Sequence, residues 1–363
     1  MLEKIPWRRK KKPFSAWQIE LTTRCPLLCK MCIRSERDDW QYQDMPIEDF
    51  KKILPYLKEV ETVILEGWGE SLLHPHLIEC VKRVKQEGAE VGFVTSGKGL
   101  TRDLASELIH EGLDFVGFSI AGIKEETHAA IRVNSYLSEI REAIHLISEE
   151  RARQERFRPR MHLVFLMVKE NILDVPSLPL FAKELGIEEV VLINICHIIN
   201  NWHEQQRVFV WDAGENPYEN ILKQTGQNAR KLHVKLSRPS LSATQVSLCS
   251  ENPLRNLYVS AYGEVSPCVY LYPPLPSPFT RIFCDKKYHV EKLSFGNVFK
   301  EPFSAIWRQE SYVQFRDRLY ERDKKFRDFY FSFLNRSHPL DPHANPLPEP
   351  PGFCESCHKM IGV

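Results

Sequence analysis

Cys25-Pro-Leu-Leu-Cys29-Lys-Met-Cys32 packs three thiols into eight residues near the start of the chain, with no histidine beside them. A structural zinc site normally takes four protein ligands in a tetrahedron. Three thiolates suit a different object, because they can hold three irons of a [4Fe–4S] cubane and leave the fourth iron open for a small ligand. Cys249, Cys268 and the pair Cys354-Glu-Ser-Cys357 supply four more thiols toward the other end. Four thiolates complete either one iron–sulfur cluster or one zinc site. Three cysteines remain. Cys80, on an amphipathic helix, and Cys196, ending an apolar run, read as small buried hydrophobes. Cys284 is open to three readings: an exposed thiol, a substitute ligand or a hydrogen-atom donor.

Composition narrows the setting. The chain has 363 residues, 43% hydrophobic and 27% charged, with ten cysteines and a formal net charge of +1. That length exceeds what one core usually reaches, so a large domain plus a smaller one is expected. No apolar run approaches the roughly 20 residues of a membrane span. The basic N-terminus lacks the apolar stretch of a secretory signal. These features point to a cytoplasmic protein, where thiols stay reduced and cysteines serve metal or redox chemistry rather than disulfides. Near-neutral charge gives no field for nucleic acid or membrane. The basic run from Arg8 to Lys12 reads as a solvated terminus, with a docking arm for an acidic partner as the alternative.

The elements that must position the first cysteines follow a repeated β-then-α rhythm through about the first 200 residues. Strands are predicted at Ala16–Leu21, Thr62–Glu66, Glu90–Thr95, Asp114–Ile120, Met161–Val168 and Val190–Ile195. Helices are predicted at His74–Glu87 and Tyr136–Glu150 among others. This alternation implies α/β architecture with a parallel sheet, either doubly wound or curled as a partial (β/α)6 barrel of the TIM type. Either way chemistry belongs at the carboxyl ends of the strands, and Cys25 follows the first. The rhythm then stops. Tyr218–Val246 reads as a helix and connection, Leu257–Ser260 with Tyr262-Gly263 as a hairpin strand and turn, and Phe303–Arg322 as one helix. Pro273–Pro278 and Pro339–Pro351 read as irregular connections. The expected division is a core over 1–215, a linker over 216–246 and a C-terminal domain over 247–363.

The C-x3-C-x2-C spacing closely resembles the signature of the radical S-adenosylmethionine (radical SAM) superfamily. The resemblance implies that Cys25, Cys29 and Cys32 hold a [4Fe–4S] cluster whose open iron binds S-adenosylmethionine. One electron then cleaves the sulfonium, and a 5′-deoxyadenosyl radical takes a hydrogen from substrate. Further motifs match in position. Met31 stands where the family often has an aromatic residue near adenine. Glu66-Gly67-Trp68-Gly69-Glu70 ends the second strand like the family's Gly-Gly-Glu motif, which implies that Gly67 and Gly69 let the backbone approach the cofactor and Glu70 accepts from its ammonium group. Thr95-Ser96-Gly97, Ser119 and Arg132 match contacts to ribose or carboxylate, and Val168 an adenine contact. His74 and His76 read as helix-entry residues, with a proton shuttle as the alternative.

Cys249, Gly263 and Cys268 reproduce the opening of the SPASM and Twitch auxiliary-cluster domains, and Cys354 with Cys357 completes four ligands. The resemblance is to the shorter form with one auxiliary [4Fe–4S] cluster, zinc being the alternative, and it spans nearly the whole chain. The run from Gly67 to Pro75 and the Asn194 region look most like the maturase branch. The function expected is hydrogen abstraction followed by oxidation, bond formation or epimerisation on a peptide, cofactor or enzyme, with a reductase such as flavodoxin or ferredoxin as partner. An aminocyclitol or sugar alcohol dehydrogenase is the second reading, and a non-catalytic zinc or iron–sulfur binding module the third.

Overall fold

A computed structural model describes residues 11–35, 37–195, 197–334 and 347–363. Residues 8–10 of the basic run, Cys196 and residues 339–346 of the second proline-rich stretch lie outside the described residues. Lys12 is inside them, and its ammonium donates to the carbonyls of Val60 (2.9 Å) and Gly88 (3.0 Å).

Six parallel strands form in chain order: β1 Phe14–Ile19, β2 Val60–Ile64, β3 Glu90–Thr95, β4 Phe115–Ile120, β5 Arg160–Met167 and β6 Glu189–Asn194. Each lies within two residues of its predicted bounds. Every strand pairs with its sequence neighbour and the order never reverses. A doubly wound sheet reverses at a switch point, whereas one-way winding curls the sheet into a barrel. The fold is therefore the partial barrel.

Between the strands run α1 Ile47–Leu57, α2 Leu77–Gln86, α3 Arg102–His110, α4 Glu125–Ile131, α5 Leu137–Arg153 and α6 Leu178–Glu184. Pleating decides which residues meet these helices. Met161, Leu163, Phe165 and Met167 of β5 are buried, while the residues between them face the barrel interior. In α2, Leu77, Cys80, Val81 and Val84 form the buried stripe, so Cys80 is a core residue as expected. After β6 come α7 Asn201–Gln206, α8 Glu219–Leu232 and β7 Lys235–Ser237, which adds to the β6 edge.

Three C-terminal features differ from the sequence reading. The predicted hairpin forms as β8 Asn256–Val259 and β9 Val265–Ser266, with Gly263 turning at φ +85°. It does not stand apart, because β8 pairs in parallel with β1 and extends the barrel sheet to nine strands. Pairing between segments some 240 residues apart leaves no local periodicity. A second hairpin, β10 Phe279–Phe283 and β11 Lys286–Val290, follows the first proline-rich stretch. Finally, the expected single helix is two: α9 Phe303–Arg308 and α10 Glu310–Leu334, broken where Gln309 turns extended (φ −57°, ψ 136°).

Aromatic packing seats α9 on the outside of β1. Trp17 is fully buried and meets Phe303 edge-on at 4.5 Å, and Phe14 meets Trp307 at 4.9 Å.

Cys284 and Asp285 form the two-residue turn of the β10–β11 hairpin with φ of +48° and +60°. Such turns favour glycine because a Cβ crowds the backbone at positive φ. Cys284→Gly is expected to raise stability by about 1 kcal/mol in urea unfolding and to leave the iron content of the reconstituted protein unchanged. A drop in iron would mark Cys284 as a ligand.

Candidate active site

Leaving β1, the chain passes through Glu20 and Thr22 into the cysteine loop, which is tied down on several sides. The amides of Leu28 and Lys30 donate to the carbonyls of Val133 (3.0 Å) and Ile131 (2.9 Å), at the end of α4. His203 of α7 reaches the Lys30 carbonyl (3.0 Å). Leu27 and Ile33 anchor the loop in the core, and the Cys32 amide donates to Cys29 (3.0 Å). Cys25, Cys29, Cys32 and Met31 thereby line one cavity of about 250 Å³ over the carboxyl ends of the strands. Burial pushes the Cys25 thiol up to about 11 and raises Cys32 as well. Metal-free, the Cys25 and Cys32 thiols keep their protons near neutrality, so loading metal releases them.

Gly67, Gly69 and Glu70 line the same cavity, but each also has a task within the chain. A Cβ on Gly67 would come within 2.4 Å of the Glu20 side chain, and one on Gly69 within 2.2 Å of the Thr22 carbonyl. Both glycines are thus required by the close approach of the β2 loop to the β1 loop. The Glu70 carboxylate accepts from the Thr95 hydroxyl (2.7 Å), the Ser96 hydroxyl (2.7 Å) and the Ser96 amide (2.9 Å), which fastens the β2 loop to the β3 loop. Glu20 accepts from the amides of Trp68 (2.7 Å) and Ala261 (3.2 Å), and burial raises its carboxyl to about 7.

Thr95, Ser96, Ser119 and Arg132 also line this wall. Val168 does not reach it. Val168 is fully buried, its amide bonded to Asn171 Oδ1 (2.8 Å), and Leu166 from β5 lines the cavity instead. Val168 is the first residue past the end of β5 pairing, where the chain turns into the bond with Asn171 and no longer follows the pleat. His74 is buried with its ring on the Met45 carbonyl (2.9 Å), and His76 precedes α2. Neither lines the cavity, which agrees with helix entry. Asn194 donates to the Ser240 carbonyl (3.0 Å), and it too is outside.

Several wall residues had no signal in the sequence. Gln18, Val94 and Leu166 face inward by pleating, Trp68 and Glu66 sit inside the quoted motif, and His197, Val269 and Tyr270 arrive from later segments. Val269 and Tyr270 directly follow Cys268, which was the available clue. Three buried polar atoms of this wall lack any partner: Trp68 Nε1, Arg132 Nε and His197 Nδ1. Unpaired buried polar atoms cost stability, and these three stand ready to pair with a polar ligand in the cavity. The Glu66 carboxyl has no hydrogen-bond partner among the described residues either. Burial first, then the charges of Glu70 and Glu251, raise it to about 8.

Cys249, Cys268, Cys354 and Cys357 come together around a second, smaller cavity, with Arg281, Tyr270 and Lys359 in its wall. Burial pushes Cys249 up to about 12 and raises Cys268 and Cys354. Cys284 lines neither cavity. Among the described residues no three or more of His, Cys, Asp and Glu converge as the ligands of a single metal ion would.

Two family models match the chain: the radical SAM superfamily over residues 19–175, and an iron–sulfur cluster-binding domain over residues 249–329. The chain belongs to the radical SAM superfamily. It is a radical SAM enzyme with a SPASM-type auxiliary-cluster domain, and its cofactors are S-adenosylmethionine and [4Fe–4S] clusters. It is 28% identical over 303 residues to the tungsten-containing aldehyde ferredoxin oxidoreductase cofactor-modifying protein of Pyrococcus furiosus, covering 82% of each chain. It is 27% identical over 255 residues to a PqqA peptide cyclase of Bradyrhizobium diazoefficiens, covering 69% of this chain and 65% of that one. Among solved structures, Streptococcus suis SuiB bound to precursor peptide SuiA shares the fold, with TM-score 0.61, 12% identity and coverage of 97% of this chain and 71% of that one. No described helix is long and apolar enough to cross a membrane.

The residues present fit these cofactors. Each cavity presents cysteine sulfurs, the usual ligands of iron–sulfur clusters, and the first adds unpaired donors and acceptors for a polar ligand beside them.

Two outcomes test this geometry. Gly69→Ala drives a methyl into a backbone carbonyl and should cost several kcal/mol of stability, with loss of S-adenosylmethionine binding measured by calorimetry. A carboxyl raised in the fold binds its proton more tightly there than in the unfolded chain. Its stabilising contribution is full below the unfolded value and lost as pH rises through the folded one. For Glu66 the window runs from 4.5 to about 8. Over it the urea midpoint of the metal-free protein should fall more steeply in the wild type than in Glu66→Gln.

Proposed function

We propose that this radical SAM enzyme is a maturase acting on a peptide or on a cofactor carried by another enzyme. Cys25, Cys29 and Cys32 hold the cluster that binds S-adenosylmethionine, and Cys249, Cys268, Cys354 and Cys357 hold the auxiliary [4Fe–4S] cluster. The observation that carries this reading is Tyr270, whose side of the wall belongs to both cavities. A substrate in the first cavity therefore lies between two redox centres. The names of the relatives that match over most of the chain support a maturase rather than an alcohol dehydrogenase or a non-catalytic module. The peptide in the SuiB structure supports a peptide as the substrate class.

When bound, the cluster and S-adenosylmethionine supply reductive cleavage of the sulfonium and a 5′-deoxyadenosyl radical that takes hydrogen from substrate. The chain's own groups bind, orient and exclude water. Arg132 presents an unpaired Nε to an anionic group such as the methionyl carboxylate. Ser119 offers a hydroxyl to the ribose, Met31 an apolar surface to the adenine, and Thr95 and Ser96 hold Glu70 in place toward the ammonium group. Trp68 and His197 close the side nearest the second cavity, their rings 5.4 Å apart. We assign the radical SAM core to 1–215 and the auxiliary-cluster region to 247–363; the stretch 216–246 between them carries α8 and β7, which extends the barrel sheet. A flavodoxin or ferredoxin would deliver the electron, in a reducing cytoplasm.

Anaerobic reconstitution tests the assignment. About eight irons per chain and 5′-deoxyadenosine formed from S-adenosylmethionine with dithionite are expected. Replacing Cys25, Cys29 and Cys32 with alanine should abolish cleavage. Cys354→Ala should lower iron by up to half yet keep cleavage. Stoichiometric zinc in place of iron, or cleavage surviving the triple replacement, would sink the reading.

A further inference from the structure

Arg281 is 5% exposed and lies in the wall of the four-cysteine cavity. Its guanidinium donates to two backbone carbonyls, Tyr270 (3.2 Å) and Phe353 (3.4 Å), with the Phe279 ring 5.7 Å away. No carboxylate among the described residues pairs with it. Its neighbour in the same wall, Lys359, is neutralised by Glu251 at 2.6 Å. A second guanidinium nearby, Arg322, is 6% exposed and also rests on carbonyls, those of Val246, Ser247 and Pro348. A buried cation without a counter-charge is strongly unfavourable. Arg281 is such a cation; Arg322 has the charge of Glu349 nearby and Lys359 that of Glu251, so Arg281 is the uncompensated charge in this wall and is complementary to a buried anion.

The Tyr270 carbonyl has a second donor. His197 Nε2 lies 3.2 Å from it, and His197 belongs to the first cavity. Arg281 on one side and His197 on the other thus share one acceptor in the partition between the two cavities. Burial, then the Arg281 charge, holds His197 neutral.

We propose that Arg281 is a positioning residue that raises the reduction potential of the auxiliary cluster and fixes the Tyr270 partition against it. This rests on the assignment of Cys249, Cys268, Cys354 and Cys357 as ligands. A cluster bound by four thiolates is an anion, and taking up one electron adds one negative charge without making or breaking a bond. A fixed buried cation favours the more negative state, since charges and burial around such clusters set their potentials. The electron comes from the one-electron reductant in the assay, or in turnover from a substrate radical that also sheds a proton.

The test uses the full chain with Cys25, Cys29 and Cys32 replaced by alanine, so that only the auxiliary cluster reports. Arg281→Gln and Arg281→Lys are reconstituted in this background, iron is counted, and the midpoint potential is read by titration with dithionite followed by electron paramagnetic resonance. A lower potential for Gln with Lys close to the parent supports the proposal. So does a Gln variant that cannot hold iron where Lys can, because the charge is then what the anion requires. A parental potential in Gln, equal shifts in Gln and Lys, or loss of iron from both overturns it. Failure of the parent to hold iron would instead overturn the ligand assignment.

Discussion

The carboxyl of Glu20, buried at the end of β1, is where the parts of this enzyme are joined. It accepts from the Trp68 amide in the β2 loop and from the Ala261 amide in the turn after β8. It therefore binds together the strand that leads to the first cysteines, the motif that forms the cavity wall and the hairpin that leads to Cys268. Gly67 is compelled by the same contact, since any side chain there would collide with Glu20. The constraint is steric and electrostatic at once, because a buried carboxyl must have donors and the backbone must come close to supply them. With β8 paired to β1, the C-terminal region continues the barrel sheet, and Tyr270 can stand between the two sets of cysteines.

That junction changes the meaning of the Gly-Trp-Gly-Glu run. Resemblance assigns its glycines to cofactor approach and Glu70 to the ammonium group. The structure adds a prior demand, as both glycines accommodate neighbouring backbone or side chain and Glu70 is a three-donor clasp between the loops of β2 and β3. The Leu72 amide adds a fourth, longer bond at 3.3 Å, so an ammonium group would compete with this weakest of the four. The clasp keeps the carboxylate in one orientation, which is what a binding site for a small polar ligand needs.

The partition between the cavities is polar on its surfaces and aromatic in its body. Trp68, His197, Tyr270 and Phe279 pack edge to face or tilted, with centroids 5.4 to 6.4 Å apart. Such packing is rigid and dry, suited to keeping water from a reactive site while holding two centres close. The unpaired Nδ1 of His197 and Nε1 of Trp68 belong to this wall.

Much of this was legible in local pattern. Short apolar runs located the six barrel strands to within two positions, the helical stripe of α2 placed Cys80 in the core, and the spacing of Cys25, Cys29 and Cys32 carried the resemblance to the family. These signals are short-range, arising from pleat, helical turn and ligand geometry within a few residues. Val168 was placed by motif position, and in the fold it is Leu166, two residues earlier, that lines the cavity. The joining of β8 to β1, the turn role of Cys284, the partition residues Tyr270 and His197, and the carboxylate-free Arg281 were invisible in sequence. Each depends on segments far apart in the chain meeting in the folded core, where burial and loss of water, and not neighbours in sequence, decide what a residue does.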